Sequence, residues 1–78
     1  MFNFSANNLV LISQRKYDMS NVFVLKDRTT KRCYKIYDFS KRAVFESSKL
    51  YCVFGKVNSS DKLYLVLDGV KEDKKNAI

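Results

Sequence analysis

Positively charged side chains are interleaved with aromatic rings in the middle of this 78-residue sequence, between residues 21 and 42. Seven Lys or Arg residues stand there against two Asp residues, so the segment carries +5 of the chain's net charge of +7. The cations are Lys26, Arg28, Lys31, Arg32, Lys35, Lys41 and Arg42. Such a concentrated excess indicates an anionic partner, because cations replace the counterions of phosphate groups. The alternative is a solvated face that keeps a small domain soluble.

The side chains that enzymes use for acid–base or nucleophilic chemistry are scarce. The sequence has no His, no Gly-rich phosphate loop and no Gly-x-Ser-x-Gly motif, so the common general bases and activated nucleophiles are missing. Asp27 and Asp38 could pair as carboxylates, but structural roles fit both better, and Asp27 falls in a predicted turn. We therefore expect a protein without enzymatic activity and without a cofactor.

Cys33 and Cys52 are the two cysteines of the chain. Both lie in apolar runs, where a free Cys packs like a small hydrophobic residue, and a single disulfide between them is the alternative. Two cysteines without any His are too few ligands for a structural zinc site, which takes four. The sequence therefore predicts reduced thiols in the core and no metal.

Five apolar runs rich in Val, Ile, Leu, Phe and Tyr predict β-strands. They are Leu9 to Ser13, Val22 to Lys26, Cys33 to Tyr37, Tyr51 to Val57 and Leu63 to Leu67. The link from Asp38 to Lys49 is longer than the others, and Ser40 could cap a short helix or open a turn there. The predicted fold class is therefore all-β, or β-rich with one short helix.

Alternation along each strand separates core residues from surface residues. In the second strand Phe23 and Leu25 share one face, and Lys26 lies on the other. In the third strand Lys35 and Tyr37 face away from the core. The residues expected to be buried are Phe23, Leu25, Ile36, Val53, Leu65 and Leu67.

A chain of this length supports one domain. We place it at residues 8–72, with an N-terminal extension at residues 1–7 and a flexible tail at residues 73–78. The apolar run near the N-terminus has four residues, too few for a signal-peptide core or a membrane span. We expect a soluble, intracellular protein, nuclear in a eukaryote and otherwise cytoplasmic, with no membrane partner.

Two short phrases within this strand order resemble the OB-fold. The second strand runs into an Asp-x-Thr turn at Asp27 and Thr29, and the fourth carries Val-x-Gly-x-Val centred on Gly55. The resemblance covers residues 8–72, and the subtype is similar to the single-stranded DNA-binding OB modules of replication protein A and of telomere-capping complexes. It implies a five-stranded OB-like barrel in which the glycine permits sharp strand coiling.

This resemblance implies that the chain binds single-stranded nucleic acid along its second and third strands, without chemistry. Such binding needs cations for phosphates and flat rings for bases. The expected phosphate contacts are Lys26, Arg28, Arg32 and Lys35, and the expected stacking platforms are Tyr37, Phe39 and Tyr64. OB domains clasp ligands with the first and last inter-strand loops. Arg15 and Lys16 lie in the first loop beside Tyr17, and Lys62 lies in the last, so these three cations are further implied contacts.

The alternative role for these aromatic rings is packing within the protein. Strand aromatics commonly pack in a core or across strands. Packing is expected of Phe23, Tyr34, Phe45 and Phe54, whereas Tyr37 and Tyr64 fit packing and binding equally well.

The alternative function is a protein-interaction module, either an OB-type subunit of a larger nucleic-acid-processing complex or a compact inhibitor of a partner protein. Its docking residues would be exposed apolar side chains such as Val24, Val66 and Ile78. No motif distinguishes DNA from RNA, because that choice depends on contacts to the 2′-hydroxyl.

Overall fold

A computed structural model describes residues 2–58 and 64–73 of the chain, which form a closed barrel of five strands. The strands are β1 (Phe2–Lys16), β2 (Asn21–Asp27), β3 (Cys33–Asp38), β4 (Leu50–Asn58) and β5 (Tyr64–Glu72). Around the barrel their order is β1-β2-β3-β5-β4, and β4 closes back onto β1. The β3–β5 pair is parallel and the other pairs are antiparallel. The all-β prediction is confirmed, and the arrangement is compatible with an OB-like fold.

Strand β1 is much longer than the predicted Leu9 to Ser13 because it serves two neighbours. Residues 9–16 pair with β2, and residues 2–10 pair with β4. The strand bends between Ala6 and Leu9, where the register shifts and Asn8 takes a left-handed φ of 60°. Residues 2–7, predicted as an N-terminal extension, are therefore part of β1. Asn and Ser side chains in this segment gave no strand signal in the sequence. The strand forms because its backbone pairs with β4.

The tail prediction falls mostly outside the described residues, which end at Asp73. The Asp73 amide donates a hydrogen bond of 2.8 Å to the Leu50 carbonyl, next to the first residue pair of β4 and β5.

The core confirms the alternation argument. Phe23, Leu25, Ile36, Val53 and Leu67 are buried, whereas Leu65 is half-buried and packs against the others. The remaining buried hydrophobic members of this cluster are Leu9, Phe45 and Tyr51. Phe45 comes from the β3–β4 link, and its ring meets Phe23 and Tyr51 edge-on at centroid distances of 4.6 and 4.9 Å. Such edge-to-face contacts add to the free energy gained from burying the rings.

The link between β3 and β4 contains no helix, so the predicted alternative of a short helix at Ser40 is wrong. A buried carboxylate organises the start of this segment instead. Asp38 Oδ1 accepts hydrogen bonds from the Ser40 amide at 3.1 Å and hydroxyl at 2.6 Å, and Oδ2 accepts one from the Ala43 amide at 2.9 Å. These bonds satisfy a side chain that would otherwise be costly to bury. They turn the chain around the carboxylate.

Gly55 occupies the position that the sequence phrase predicted to need a glycine. The β4–β5 register shifts between Phe54 and Gly55. A Cβ at Gly55 would stand 2.0 Å from the Val66 carbonyl oxygen and 2.9 Å from the Phe4 ring. The glycine therefore permits close approach of two strands, which a barrel of this size requires.

Candidate nucleic-acid interface

The outer surface of the β2–β3 hairpin carries the predicted strand contacts. Val22 pairs with Tyr37, Val24 with Lys35 and Lys26 with Cys33. These six side chains point away from Phe23, Leu25 and Ile36, because successive residues of a strand alternate. We call the side chains of Lys26, Lys35 and Tyr37 with their neighbours Val22 and Val24 the β2–β3 face.

Three aromatic rings, Tyr37, Phe39 and Tyr64, form a cluster at one end of this face. The rings of Tyr37 and Phe39 are nearly parallel, with centroids 6.1 Å apart and 15° between their planes. Tyr64 meets Tyr37 edge-on at 5.3 Å. Lys35 Nζ lies over the Tyr37 ring, 5.7 Å from its centroid. The structure thus brings together four of the predicted contacts from β3, β5 and the link that follows β3.

Exposure differs among the three rings. Phe39 is 50% exposed, whereas Tyr37 and Tyr64 are half-buried. Tyr37 already touches two rings and a cation, so Phe39 offers the most free ring surface for a stacked base. The asymmetry follows from position, because Phe39 lies just beyond the end of β3 and Tyr37 lies inside it.

The tip of the hairpin holds Arg28 and Arg32 in a fixed turn. Asp27 Oδ1 accepts hydrogen bonds from the amides of Thr29 at 2.8 Å and Thr30 at 3.2 Å. These bonds, that of Thr29 first, lower the pKa of the Asp27 carboxyl below its usual value. The predicted Asp-x-Thr turn is therefore present, and it exposes both guanidinium groups.

A bend in β1 supports the same tip. The Asn8 carbonyl accepts a hydrogen bond from the Arg28 amide at 3.1 Å, and Asn8 Nδ2 donates one to Thr29 Oγ1 at 2.6 Å. The cations of the tip are consequently presented by a backbone that is held from two sides.

Among the described residues, the cations of the β2–β3 face have no carboxylate within ion-pair distance. Within residues 2–58 and 64–73 both ion pairs belong to Lys49, which meets Glu46 at 2.7 Å and Glu72 at 3.4 Å. Lys26 and Lys35 are therefore not paired with a carboxylate in the described part of the chain. Arg32 at the tip lies close enough to Asp27 to help lower the pKa of that carboxyl.

A pocket of about 250 Å³ lies beside the aromatic cluster, on the outer side of β1, β2 and β3. Its lining includes Val22 and Val24 from β2, Lys35 from β3, and Ser13, Gln14 and Arg15 from β1. Tyr17, which is 51% exposed, completes it from the β1–β2 loop. We call this cavity the Tyr17 pocket. The sequence placed Tyr17 in the first inter-strand loop with Arg15 and Lys16, but it did not predict a pocket there.

Two predicted loop contacts lie elsewhere than expected. Arg15 and Lys16 are the last residues of β1, and the loop begins at Tyr17. Arg15 pairs with Val22 and lines the Tyr17 pocket, whereas Lys16, the next residue along the strand, pairs with Asn21 and is not part of the pocket lining. The last inter-strand contact, Lys62, lies outside the described residues.

The cysteines differ from each other in the structure. Both are free thiols, but Cys33 is exposed on β3 beside Lys26, so its predicted place in the core is wrong. Cys52 is half-buried, and this desolvation raises the pKa of its thiol. The alternation that places Lys35 and Tyr37 outward also places Cys33 on that face. The prediction failed because Cys33 was assigned to the core by its residue type and not by its position in the strand.

The other side of the barrel, formed by β4 and β5, is built differently. Phe54 is 50% exposed, yet its ring covers Gly69, where an added Cβ would stand 2.3 Å from Phe54 Cζ. The expected packing of Phe54 is thus cross-strand packing on the outer surface. A groove of about 430 Å³ runs beside it, lined by Asn3, Phe4, Ser5, Phe54, Gly55 and Asp68. The docking residues named for a protein partner fit less well, since Val24 and Val66 are half-buried and Ile78 lies outside the described residues.

The described residues bring no three His, Cys, Asp or Glu side chains together in a way that could hold a metal ion. In the same part of the chain, no helix has the length and apolar character that crossing a membrane requires. Comparison with family models, curated proteins and solved structures finds no match to this chain. The function must therefore be argued from the geometry of the barrel surface.

Proposed function

We propose that this protein binds single-stranded nucleic acid on the β2–β3 face and catalyses no reaction. The observation that carries the proposal is the cluster of Tyr37, Phe39 and Tyr64 with Lys35 Nζ 5.7 Å from the Tyr37 ring centroid. Stacking platforms beside backbone-tracking cations are the two parts that binding a single strand requires. A role like that of the OB modules of replication protein A and telomere-capping complexes is part of this proposal.

The spacing of the cations supports a strand that follows the hairpin. Arg28 and Arg32 stand at the tip, Lys26 and Lys35 follow, and Tyr37 lies four residues from Cys33 at the start of β3. At about 3.3 Å per residue, those four residues span about 13 Å. A flexible single strand can place phosphates along this row and a base on the aromatic cluster at its end.

Binding measured at several salt concentrations tests the proposal. Labelled oligothymidylate and oligouridylate should bind more tightly than a duplex, with affinity that falls as salt rises. Reversing Lys26, Arg28 and Lys35 to Glu should weaken binding and flatten the single-strand salt slope by about 0.7 for each phosphate that the variant no longer neutralises. Lys35→Glu and Lys71→Glu form a matched pair of single reversals, and Lys71 is an exposed residue of β5 on the other side.

The reversal at Lys71 should bind nearly as well as wild type, while the reversal at Lys35 should not. Circular dichroism of each variant checks that the barrel is intact. The proposal is wrong if the wild type shows no salt-sensitive binding to either single strand, or if the triple reversal binds as tightly as the wild type.

A protein-interaction module remains the second candidate, and the groove beside Phe54 is the observation that favours it. A half-exposed ring next to Asp68 and two polar side chains of β1 offers an apolar centre with a polar rim. In that case the chain would act as an OB-type subunit or as a compact inhibitor. Its affinity for a partner would respond weakly to salt, because an apolar interface releases few counterions.

A further inference from the structure

We infer that the Tyr17 pocket receives a base of the bound single strand, next to the base on the aromatic cluster, and that Lys35 contacts the phosphate between them. The inference rests on the proposed function and adds a second base site to it. The occupant is a nucleobase that is splayed away from its neighbour.

The size and lining of the pocket suit one flat ring system. Its volume of about 250 Å³ lies below the roughly 300 to 1,000 Å³ of pockets that take drug-sized ligands. Val22 and Val24 supply an apolar floor, and the Tyr17 ring supplies a face for stacking. Ser13 contributes a hydroxyl that can bond the edge of a base.

The backbone of Tyr17 is held in place before any ligand binds. The Tyr17 amide donates a hydrogen bond of 2.8 Å to the Ser20 carbonyl, which closes the turn between β1 and β2. The Tyr17 carbonyl accepts a bond of 2.7 Å from Lys41 Nζ, which reaches across from the β3–β4 link. A fixed backbone lowers the entropy lost when the ring orders against a base.

Lys35 stands between the two base sites. It lines the Tyr17 pocket, and its Nζ lies over the Tyr37 ring. Val22 pairs with Arg15 on one side and with Tyr37 on the other, so Arg15 at the far wall of the pocket and Tyr37 in the cluster are two strand spacings apart, about 10 Å. Bases stacked in a duplex follow one another at about 3.4 Å. The geometry therefore fits a single strand with separated bases, with one phosphate near Lys35 and another near Arg15.

Two variants test the pocket without altering the core. Tyr17→Ala removes the stacking wall, and Ser13→Phe fills the cavity from an exposed position on β1. Each should weaken binding of a labelled dT6 oligonucleotide by about 5- to 150-fold, the range expected for one stacked base. The salt slope should stay unchanged, because no charge is removed. Ser47→Phe adds the same bulk on the exposed turn before β4 and should bind like wild type.

Amide chemical shifts recorded with thymidine 5′-monophosphate and with d(TpT) separate a free nucleotide from a strand. In the wild type d(TpT) should shift residues of both sites and bind more tightly than the mononucleotide. In Lys35→Met this gain should be largely abolished. Equal affinity for the two ligands would show that the pocket takes free nucleotides, which overturns the inference.

Failure of the inference and failure of the proposed function look different. If the wild type binds dT6 in a salt-dependent way while Tyr17→Ala and Ser13→Phe bind equally well, the pocket holds no base and the β2–β3 face still does. If the wild type binds no single strand, both proposals are wrong.

Discussion

The β2–β3 hairpin and the β4–β5 pair place similar residue types in different surroundings. On β4 and β5 two Lys residues are balanced by Asp68 and Glu72, and the exposed ring of Phe54 covers a glycine. On the hairpin, counted with its turn at residues 28–32, five cations stand against two carboxylates, and one of these carboxylates, Asp38, is buried and bonded to the following link. Similar residue types therefore stand in different surroundings on the two sides of the barrel. Positive charge is in excess along the hairpin and its turn, and it is balanced along β4 and β5.

Alanine substitutions at the two glycines of the β4–β5 pair should give the largest difference in folding free energy. Gly55→Ala places a Cβ against a backbone carbonyl, which cannot move without breaking the strand pairing, so we expect a loss of about 3 kcal/mol of folding free energy. Gly69→Ala places a Cβ against the far end of the exposed Phe54 side chain, which can rotate away. Its cost should stay below about 1 kcal/mol.

Thermal unfolding measures both substitutions. A domain of this size shifts by about 4 to 8 °C per kcal/mol, so Gly55→Ala should lower the midpoint by more than about 10 °C. Equal shifts for the two variants would contradict the close approach of β4 and β5 at Gly55.

Truncation of one aromatic ring on each side of the barrel tests which side binds the oligonucleotide. Tyr37→Ala should weaken oligonucleotide binding by about 1 to 3 kcal/mol through lost stacking and lost support for Phe39, with the salt slope unchanged. Phe54→Ala removes a comparable ring from the other side and should bind like wild type. Fluorescence anisotropy at two salt concentrations measures both. A loss shared equally by the two variants would mean that the binding surface is not confined to the β2–β3 face.

Lys35 and Lys49 should affect different properties, the first nucleic-acid binding and the second stability. Lys35→Met should reduce the salt slope by about 0.7, because one phosphate is no longer neutralised, and should leave the unfolding midpoint nearly unchanged. Lys49→Met should leave binding unchanged and remove the pairs with Glu46 and Glu72.

Those pairs, the hydrogen bond to Glu46 first, raise the pKa of Lys49 above its usual value of 10.5. A raised pKa means that the contribution to stability is present below pH 10.5 and is lost as the pH rises through the folded-state pKa. Unfolding midpoints of wild type and Lys49→Met should therefore converge in strong alkali. A difference that persists there would show that Lys49 acts by packing.

The smallest expected effect concerns the hairpin tip in acid. The pKa of Asp27 is lowered, so its contribution to stability is present above the usual carboxyl pKa of 3.8 and is lost as the pH falls through the folded-state pKa. Unfolding midpoints of wild type and Asp27→Asn should differ at about pH 6 and converge near about pH 2. Asp68→Asn, which removes an exposed carboxylate on the other side, is the matched control at about pH 6 and should unfold there at nearly the wild-type midpoint. A difference that persists in strong acid would mean that the tip does not depend on the ionised carboxylate.

Local patterns were sufficient to predict five strands and the faces of most of them. Alternation is a property of neighbouring residues, so the burial of Phe23, Leu25 and Ile36 and the outward position of Lys35 and Tyr37 could be read without knowing the fold. The turn at Asp27 was equally local, because its carboxylate bonds amides two and three residues away.

Closure of the barrel decided the rest. Tyr64 contacts Tyr37 because β5 pairs in parallel with β3, although β4 lies between these two strands in the sequence. The first half of β1 is a strand because β4 pairs with it. The link after β3 is irregular because its Ser40 and Ala43 amides donate hydrogen bonds to the Asp38 carboxylate. The Tyr17 pocket needs three strands and a loop held by Lys41. Each of these features joins residues that are distant in the sequence. Their proximity depends on which strands pair, and a local sequence pattern does not show that.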